Sequence, residues 1–273
     1  MKRGGDQPAP VPSDVSALLA AVRARTPARL FTGRAGPAYR TDTQLTLRQD
    51  HAAARDAVHA EIDLARDLGR ELVERYGLFE VRTQAASKSE YLMRPDRGRR
   101  LDDAARELIR SRCPAKAELQ VVIGDGLSAA AVAAQVPGLL PRLEDEARRR
   151  GWSFGRPFFV RYCRVGVLND VGELLDPGVA VLLIGERPGL ATADSLSAYL
   201  AYRPRPGDTD AKRNLVSNVH ARGVGHDEAA ARVAGLAAQM FRLGCSGVTV
   251  KEEPGLMLGE PGASATGALP SGR

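Results

Sequence analysis

The sequence predicts an α/β fold: a mostly parallel sheet with helices on both faces, preceded by a small N-terminal helical domain. Three observations carry this. Between residues 101 and 250, short runs of β-branched and leucine residues alternate with helical patterns, as in strand–helix–strand units. One run, Val181-Leu182-Leu183-Ile184, is apolar without a break, which suits a strand covered on both faces. Upstream, the stretch from Leu45 to Tyr76 has no Pro, and no Gly before Gly69.

The elements follow in order. Residues 1–13 are Gly/Pro-rich and read as disordered. Ser13 or Asp14 caps a short helix with Val15, Leu18, Leu19 and Val22 on one face. So short a helix has to dock on this chain or on a partner. Thr32 to Pro37 is a loop. A long helix then runs from about Leu45 to Tyr76, with Leu64, Leu68 and Leu72 recurring every fourth residue. Tyr91 to Arg100 is a connector, and Asp102 to Arg112 a helix ended by Pro114. Strands are predicted at Leu119–Ile123, Phe158–Cys163, Val179–Ile184, Leu196–Tyr202 and Val248–Val250. Helices are predicted at Leu127–Gln135, interrupted near Pro137 and resumed at Leu143–Arg150, and at Asp227–Leu243. From Gly255 the tail is Gly/Pro/Ala/Ser-rich and reads as disordered. The implied divisions are an extension with the short helix over 1–30, a helical domain and connector over 31–100, an α/β ligand-binding domain over 101–252 and a tail over 253–273.

The 273 residues are 44% hydrophobic but 5% aromatic, so the core is aliphatic. Net charge is +6. A basic balance suggests nucleic acid, but the arginines lie among acids, as in Arg66-Asp67 and Arg75 beside Glu74, with no dense Lys/Arg block. Cys113, Cys163 and Cys245 are far apart and odd in number, against a disulfide framework or structural zinc and in keeping with a reducing cytosol. No secretion signal or apolar run of about 20 residues stands out. The expectation is a soluble, cytoplasmic protein.

Two loops point to a site. Gly185-Glu186-Arg187-Pro188-Gly189 follows the apolar run, and ligands of open α/β sheets sit in the crevice beyond the strand ends. The competing reading is a surface Glu–Arg pair worth under about 1 kcal/mol. Gly124-Asp125-Gly126-Leu127-Ser128 joins a strand to a helix. Its glycines permit close approach to a ligand, and a helix start offers N–H groups. Equally, Asp and Ser are ordinary helix caps. The pattern is not G-x-G-x-x-G, so it gives a dinucleotide weak support. His51 and His59 lack the i, i+4 spacing of helical zinc pairs, and His220 and His226 have no ligand set nearby. No Ser-His-Asp arrangement or nucleophile elbow is present. The residues alone therefore give an α/β ligand-binding domain without evident catalytic machinery.

Seven segments, in this order, resemble the small (light) subunit family of ethanolamine ammonia-lyase. They are G-R-A-G (33–36), D-H-A-A-A-R-D-A-V (50–58), Y-L-M-R-P-D-R-G-R-R-L (91–101), G-D-G-L-S-A (124–129), G-E-R-P-G-L (185–190), D-S-L-S-A-Y (194–199) and S-N-V-H (217–220). The resemblance implies a flavodoxin- or Rossmann-like cobalamin-binding domain facing a large TIM-barrel subunit, in a larger oligomer of heterodimers. It implies adenosylcobalamin as cofactor, held between the two subunits, for the radical conversion of ethanolamine to acetaldehyde and ammonia. It implies a subunit inactive alone, with no catalytic or metal-ligating residue of its own. The family's cobalamin contacts fall on Val165, Glu186 and Leu215, where Leu215 stands in place of the relatives' Cys. Asp125, Gly126, Leu127 and Ser128 are added from their place at a strand end, and Arg187 and Pro188 from the Glu186 loop. The chain lacks D-x-H-x-x-G, by which other cobalamin proteins give cobalt a His, in keeping with a family whose cofactor keeps its own lower ligand. In relatives a short N-terminal helix directs the enzyme into a bacterial microcompartment. Docking on the large subunit or the chain's own helical domain is the other reading, which this short, alanine-rich helix favours. The rival functions are a stand-alone nucleotide-binding α/β enzyme and a non-catalytic assembly scaffold.

Overall fold

The computed structural model describes residues 15–25, 30–189 and 192–252. The expected disorder of 1–13 and of the tail lies outside these residues, as does the Ser13 or Asp14 cap. Helix α1 (Val15–Arg25) comes first, and none of its described side chains is buried. A two-residue ribbon, β1 (Arg34–Ala35) with β2 (Ala38–Tyr39), leads into α2 (Thr41–His59), α3 (Leu64–Asp67) and α4 (Arg70–Tyr76). The α/β part then follows: β3 (Glu80–Arg82), α5 (Lys88–Met93), α6 (Asp103–Arg112), β4 (Leu119–Gly124), α7 (Ala129–Arg149), β5 (Phe158–Arg161), α8 (Val167–Leu175), β6 (Val179–Gly185), β7 (Leu196–Tyr202), β8 (Asn214–Val219) and α9 (His226–Leu243).

Six strands form one sheet in the order β3-β5-β4-β6-β7-β8. The four from β3 to β6 are mutually parallel, and β7 and β8 each add antiparallel. The predicted class, a mostly parallel sheet covered by helices, is what the chain adopts. All seven residues of β6 are buried because alternate side chains feed two cores. Val179, Val181 and Leu183 pack with α7 and α9, and Ala180, Leu182 and Ile184 with α6 and α8. After β4 the chain moves to β5 on one side, and after β5 to β6 on the other. That reversal opens a crevice at the carboxyl ends of β4, β5 and β6.

Several predicted elements differ. The helix from Leu45 to Tyr76 is three helices. The chain is extended at Ala60, and Asp63 caps α3 by accepting the Arg66 N–H at 2.8 Å. Tertiary contacts win over local propensity there: Ile62 is buried in the main core and its carbonyl accepts from Arg161 at 2.8 Å. Conversely, α7 runs unbroken through Pro137 and Pro141. Each proline removes a helical hydrogen bond and costs about 3 kcal/mol, which burial of Val136, Leu139, Leu140 and Leu143 offsets. Strand β5 stops at Arg161 instead of Cys163, since Tyr162 takes a left-handed φ of 58°. Val248–Val250 is a turn, held by Asn214 Nδ2 donating to the carbonyls of Gly247 and Val250. The Tyr91–Arg100 connector includes the end of α5 and a single 3-10 turn, Arg97–Arg99. Strands β3 and β8 and helix α8 were not anticipated.

Candidate functional site

A cleft of about 360 Å³ lies at the crevice. Its walls come from the strand ends: Gly126 and Leu127 after β4, Arg164 and Val165 after β5, and Ile184 to Arg187 from β6. Ser197 and Tyr199 of β7 and Leu215 and Ser217 of β8 complete it, with Tyr91 of α5. The fold thus brings six of the nine expected residues to one cleft: Gly126, Leu127, Val165, Glu186, Arg187 and Leu215. Asp125, Ser128 and Pro188 are not in its lining.

Glu186 is held by its neighbours. Its Oε2 accepts from the Ser195 hydroxyl at 2.7 Å, and its Oε1 from the Ser197 hydroxyl at 2.7 Å and the Asn218 N–H at 2.9 Å. The last donor is available because β7 and β8 shift register beside Leu196, and such irregularities re-aim backbone groups near sites. Asn218 has a left-handed φ of 63° there. The surface Glu–Arg reading is therefore replaced: among the described residues no ion pair joins Glu186 to Arg187.

Asp125 works from behind the cleft. It is 1% exposed, and its carboxylate accepts the N–H groups of Tyr162 at 2.9 Å and Cys163 at 2.8 Å. Lys88 lies 3.8 Å away and donates to the Gly126 carbonyl at 3.3 Å. Burial pushes the Asp125 carboxyl up, with Lys88 and then the two N–H groups opposing. Burial likewise pushes the Lys88 ammonium down. This pair ties the β4 turn to the β5 turn that presents Arg164 and Val165.

Ser128 caps α7, accepting the Ala131 N–H at 3.1 Å and donating to the Ala193 carbonyl. Leu127 N–H donates to the Gly185 carbonyl at 3.1 Å. The helix start is thus occupied by the Gly185 loop, which weakens the nucleotide reading. Gly126 has φ 57°, and a Cβ on it would lie 2.3 Å from the Gly185 carbonyl oxygen. Only glycine permits the two loops to touch.

Arg164, Tyr91, Ser197, Tyr199 and Ser217 were missed. The period-two alternation Ser195-Leu196-Ser197-Ala198-Tyr199 carried a signal for the β7 residues, since it puts Ser195, Ser197 and Tyr199 on one face. Nothing local marks Tyr91, which is buried and donates to the Cys163 carbonyl at 3.1 Å. Burial, then Asp210 and Glu186, push the Tyr199 hydroxyl above its ordinary value, so it stays a neutral donor.

The four histidines lie outside the cleft lining. Among the described residues no His, Cys, Asp or Glu cluster could hold a metal, and no helix is long and apolar enough to cross a membrane.

The sequence profile described as ethanolamine ammonia-lyase light chain (EutC) matches residues 16–251. The Clostridium perfringens ethanolamine ammonia-lyase small subunit is 42% identical over 240 residues, covering 88% of this chain and 79% of that one. The same-named protein of Listeria monocytogenes is 41% identical over 242 residues, covering 89% and 80%. That of Fusobacterium nucleatum is 41% identical over 227 residues, covering 83% and 75%. A match of this extent shows the family: the chain belongs to the ethanolamine ammonia-lyase light chain family.

Proposed function

We propose that this chain is the small subunit of an adenosylcobalamin-dependent ethanolamine ammonia-lyase, and that its cleft forms one side of the cofactor's seat. A large TIM-barrel subunit would close the other side, within an oligomer of such heterodimers. The observation that carries this is the convergence on one open cleft of Val165 after β5, Glu186 after β6 and Leu215 of the edge strand β8.

The residues fit a corrinoid. Leu127, Val165, Ile184 and Leu215 give an apolar floor for a flat macrocycle. Glu186, Ser197, Ser217 and Arg187 give acceptors and donors for its rim of amide groups. The cleft is too small to enclose so large a molecule, which suits a seat shared between two chains. Leu215 is 42% exposed here, an apolar side chain that a bound group would cover. When bound, the cofactor supplies the radical chemistry by which ethanolamine yields acetaldehyde and ammonia. This chain's residues orient it and exclude water. Glu186 does so with both oxygens already fixed, so it meets the ligand without reorganisation. The Cys-to-Leu change at 215 retains apolar contact and removes a thiol. We place the complex in the cytoplasm. The exposed Leu18 of α1 gives that helix an apolar contact for docking on the large subunit or on the chain's own helical domain, with targeting to a microcompartment as the alternative.

The test is ammonia release from ethanolamine with adenosylcobalamin, using this chain alone, the large subunit alone and the co-expressed pair. Activity confined to the pair is expected. Activity of this chain alone, or a stable pair without activity, would overturn the reading.

A further inference from the structure

Among the described residues, Arg164 is the cleft residue with a buried polar atom left without a partner. Its guanidinium lies 4.4 Å from the centroid of the Tyr91 ring. Tyr91 is itself immobile: it is fully buried, stacks on Tyr162 at 6.2 Å and donates to the Cys163 carbonyl. Behind Arg164, a Cβ added at Gly98 would lie 2.8 Å from Arg164 Cγ, so the stem is packed tightly too. Yet among the described residues the Arg164 side chain has no hydrogen bond or ion pair, and its Nε is buried without an acceptor. Nearby Arg161 is the contrast, since it donates to both oxygens of Glu80 and to the Ile62 carbonyl. An unmet buried donor is unfavourable and marks a place where a partner is missing.

The charge balance says what kind of partner. Arg164 and Arg187 face the cleft against a single carboxylate, Glu186, whose oxygens already accept from Ser195, Ser197 and Asn218. Asp125 is turned inward to Lys88 and the β5 turn. The cleft is left with a surplus of positive charge and a rigid guanidinium, the arrangement that favours phosphate oxygens. A cobalamin carries one phosphodiester, in its nucleotide arm, and otherwise neutral amides around the ring.

We infer that Arg164 is a further ligand-binding residue of the cleft, whose Tyr91-stacked guanidinium takes the phosphodiester of the corrinoid's nucleotide arm. This rests on the cobalamin reading above. The test uses the co-expressed two-subunit complex and measures equilibrium binding of hydroxocobalamin and of cobinamide, which lacks the nucleotide arm, by visible absorption. R164Q should weaken cobalamin binding about tenfold or more, the loss of a charge-assisted hydrogen bond. R164K, which retains charge and stem, should restore part of it. Cobinamide should bind the wild type and R164Q alike. Unchanged cobalamin affinity in R164Q would overturn the inference, and so would equal weakening for both corrinoids, which would put Arg164 on a ring amide. A wild-type complex that binds neither corrinoid would instead overturn the cofactor reading itself.

Discussion

Replacing Asp125 by Ala removes the acceptor for two buried N–H groups and the counter-charge of Lys88. Each orphaned N–H costs about 1–3 kcal/mol, and breaking a buried ion pair costs about 3–5 kcal/mol. The penalties overlap, because burial already pushes the Lys88 ammonium down and the lysine can shed its proton. A net loss of about 4 kcal/mol is expected, a large share of a total stability of about 5–15 kcal/mol. Lys88→Met is expected to cost less, about 1–3 kcal/mol, because Asp125 retains its two N–H donors. The double variant should be more stable than the sum of the losses implies, by about 1–3 kcal/mol. Urea unfolding followed by far-UV circular dichroism at neutral pH measures all three. A loss below about 1 kcal/mol for Asp125→Ala, or strict additivity, would refute the claim that this carboxylate holds the β5 turn.

Other outcomes follow from the same geometry. Gly126→Ala should destabilise the fold by more than about 3 kcal/mol, because a Cβ would meet the Gly185 carbonyl in a left-handed backbone; a urea midpoint near wild type would contradict this. Burial pushes the Cys113 thiol to about 11 and the Cys163 thiol well up, so at pH 8 the native chain should react with a thiol reagent at half-buried Cys245 only, with all three thiols reacting after unfolding. His226 opens α9 and bonds Gln135 Oε1 at 2.8 Å. Burial and then Arg142 hold its pKa below the ordinary 6.5, with Asp227 opposing. The native state therefore binds fewer protons, so stability present above pH 6.5 declines as pH falls below it. The melting temperature should drop between pH 7.5 and 5.5, and less so in His226→Gln.

Legibility in the sequence tracked burial on two faces. Strand β6 announced itself because both its faces are apolar. Strand β8 did not, because Asn214, Ser217 and Asn218 interrupt it at the sheet edge, where Ser217 lines the cleft and Asn214 holds the turn after α9. The 45–76 helix was misread because its break at Ala60–Asp63 is imposed by Arg161 and the core around Ile62, contacts about a hundred residues away that no local pattern records. Glu186 and Leu215 were reachable through family motifs, yet their meeting in one cleft depends on β7 lying between β6 and β8 in the sheet. Asp125 stood out as a loop carboxylate, but its task is inward, since a carboxylate at a strand end looks the same in sequence whichever way it turns.

The measurement that tests the central claim most directly is corrinoid retention by the co-expressed complex after gel filtration. The wild type, Leu215→Trp and Arg203→Ala would be compared by visible absorption. Leu215 lies half-exposed in the cleft, so a tryptophan there fills it without entering the core, whereas Arg203 lines a separate depression with Lys116 and Phe241. The account expects stoichiometric corrinoid on the wild type and on Arg203→Ala, and little on Leu215→Trp. Full retention by a folded, assembled Leu215→Trp complex would contradict it.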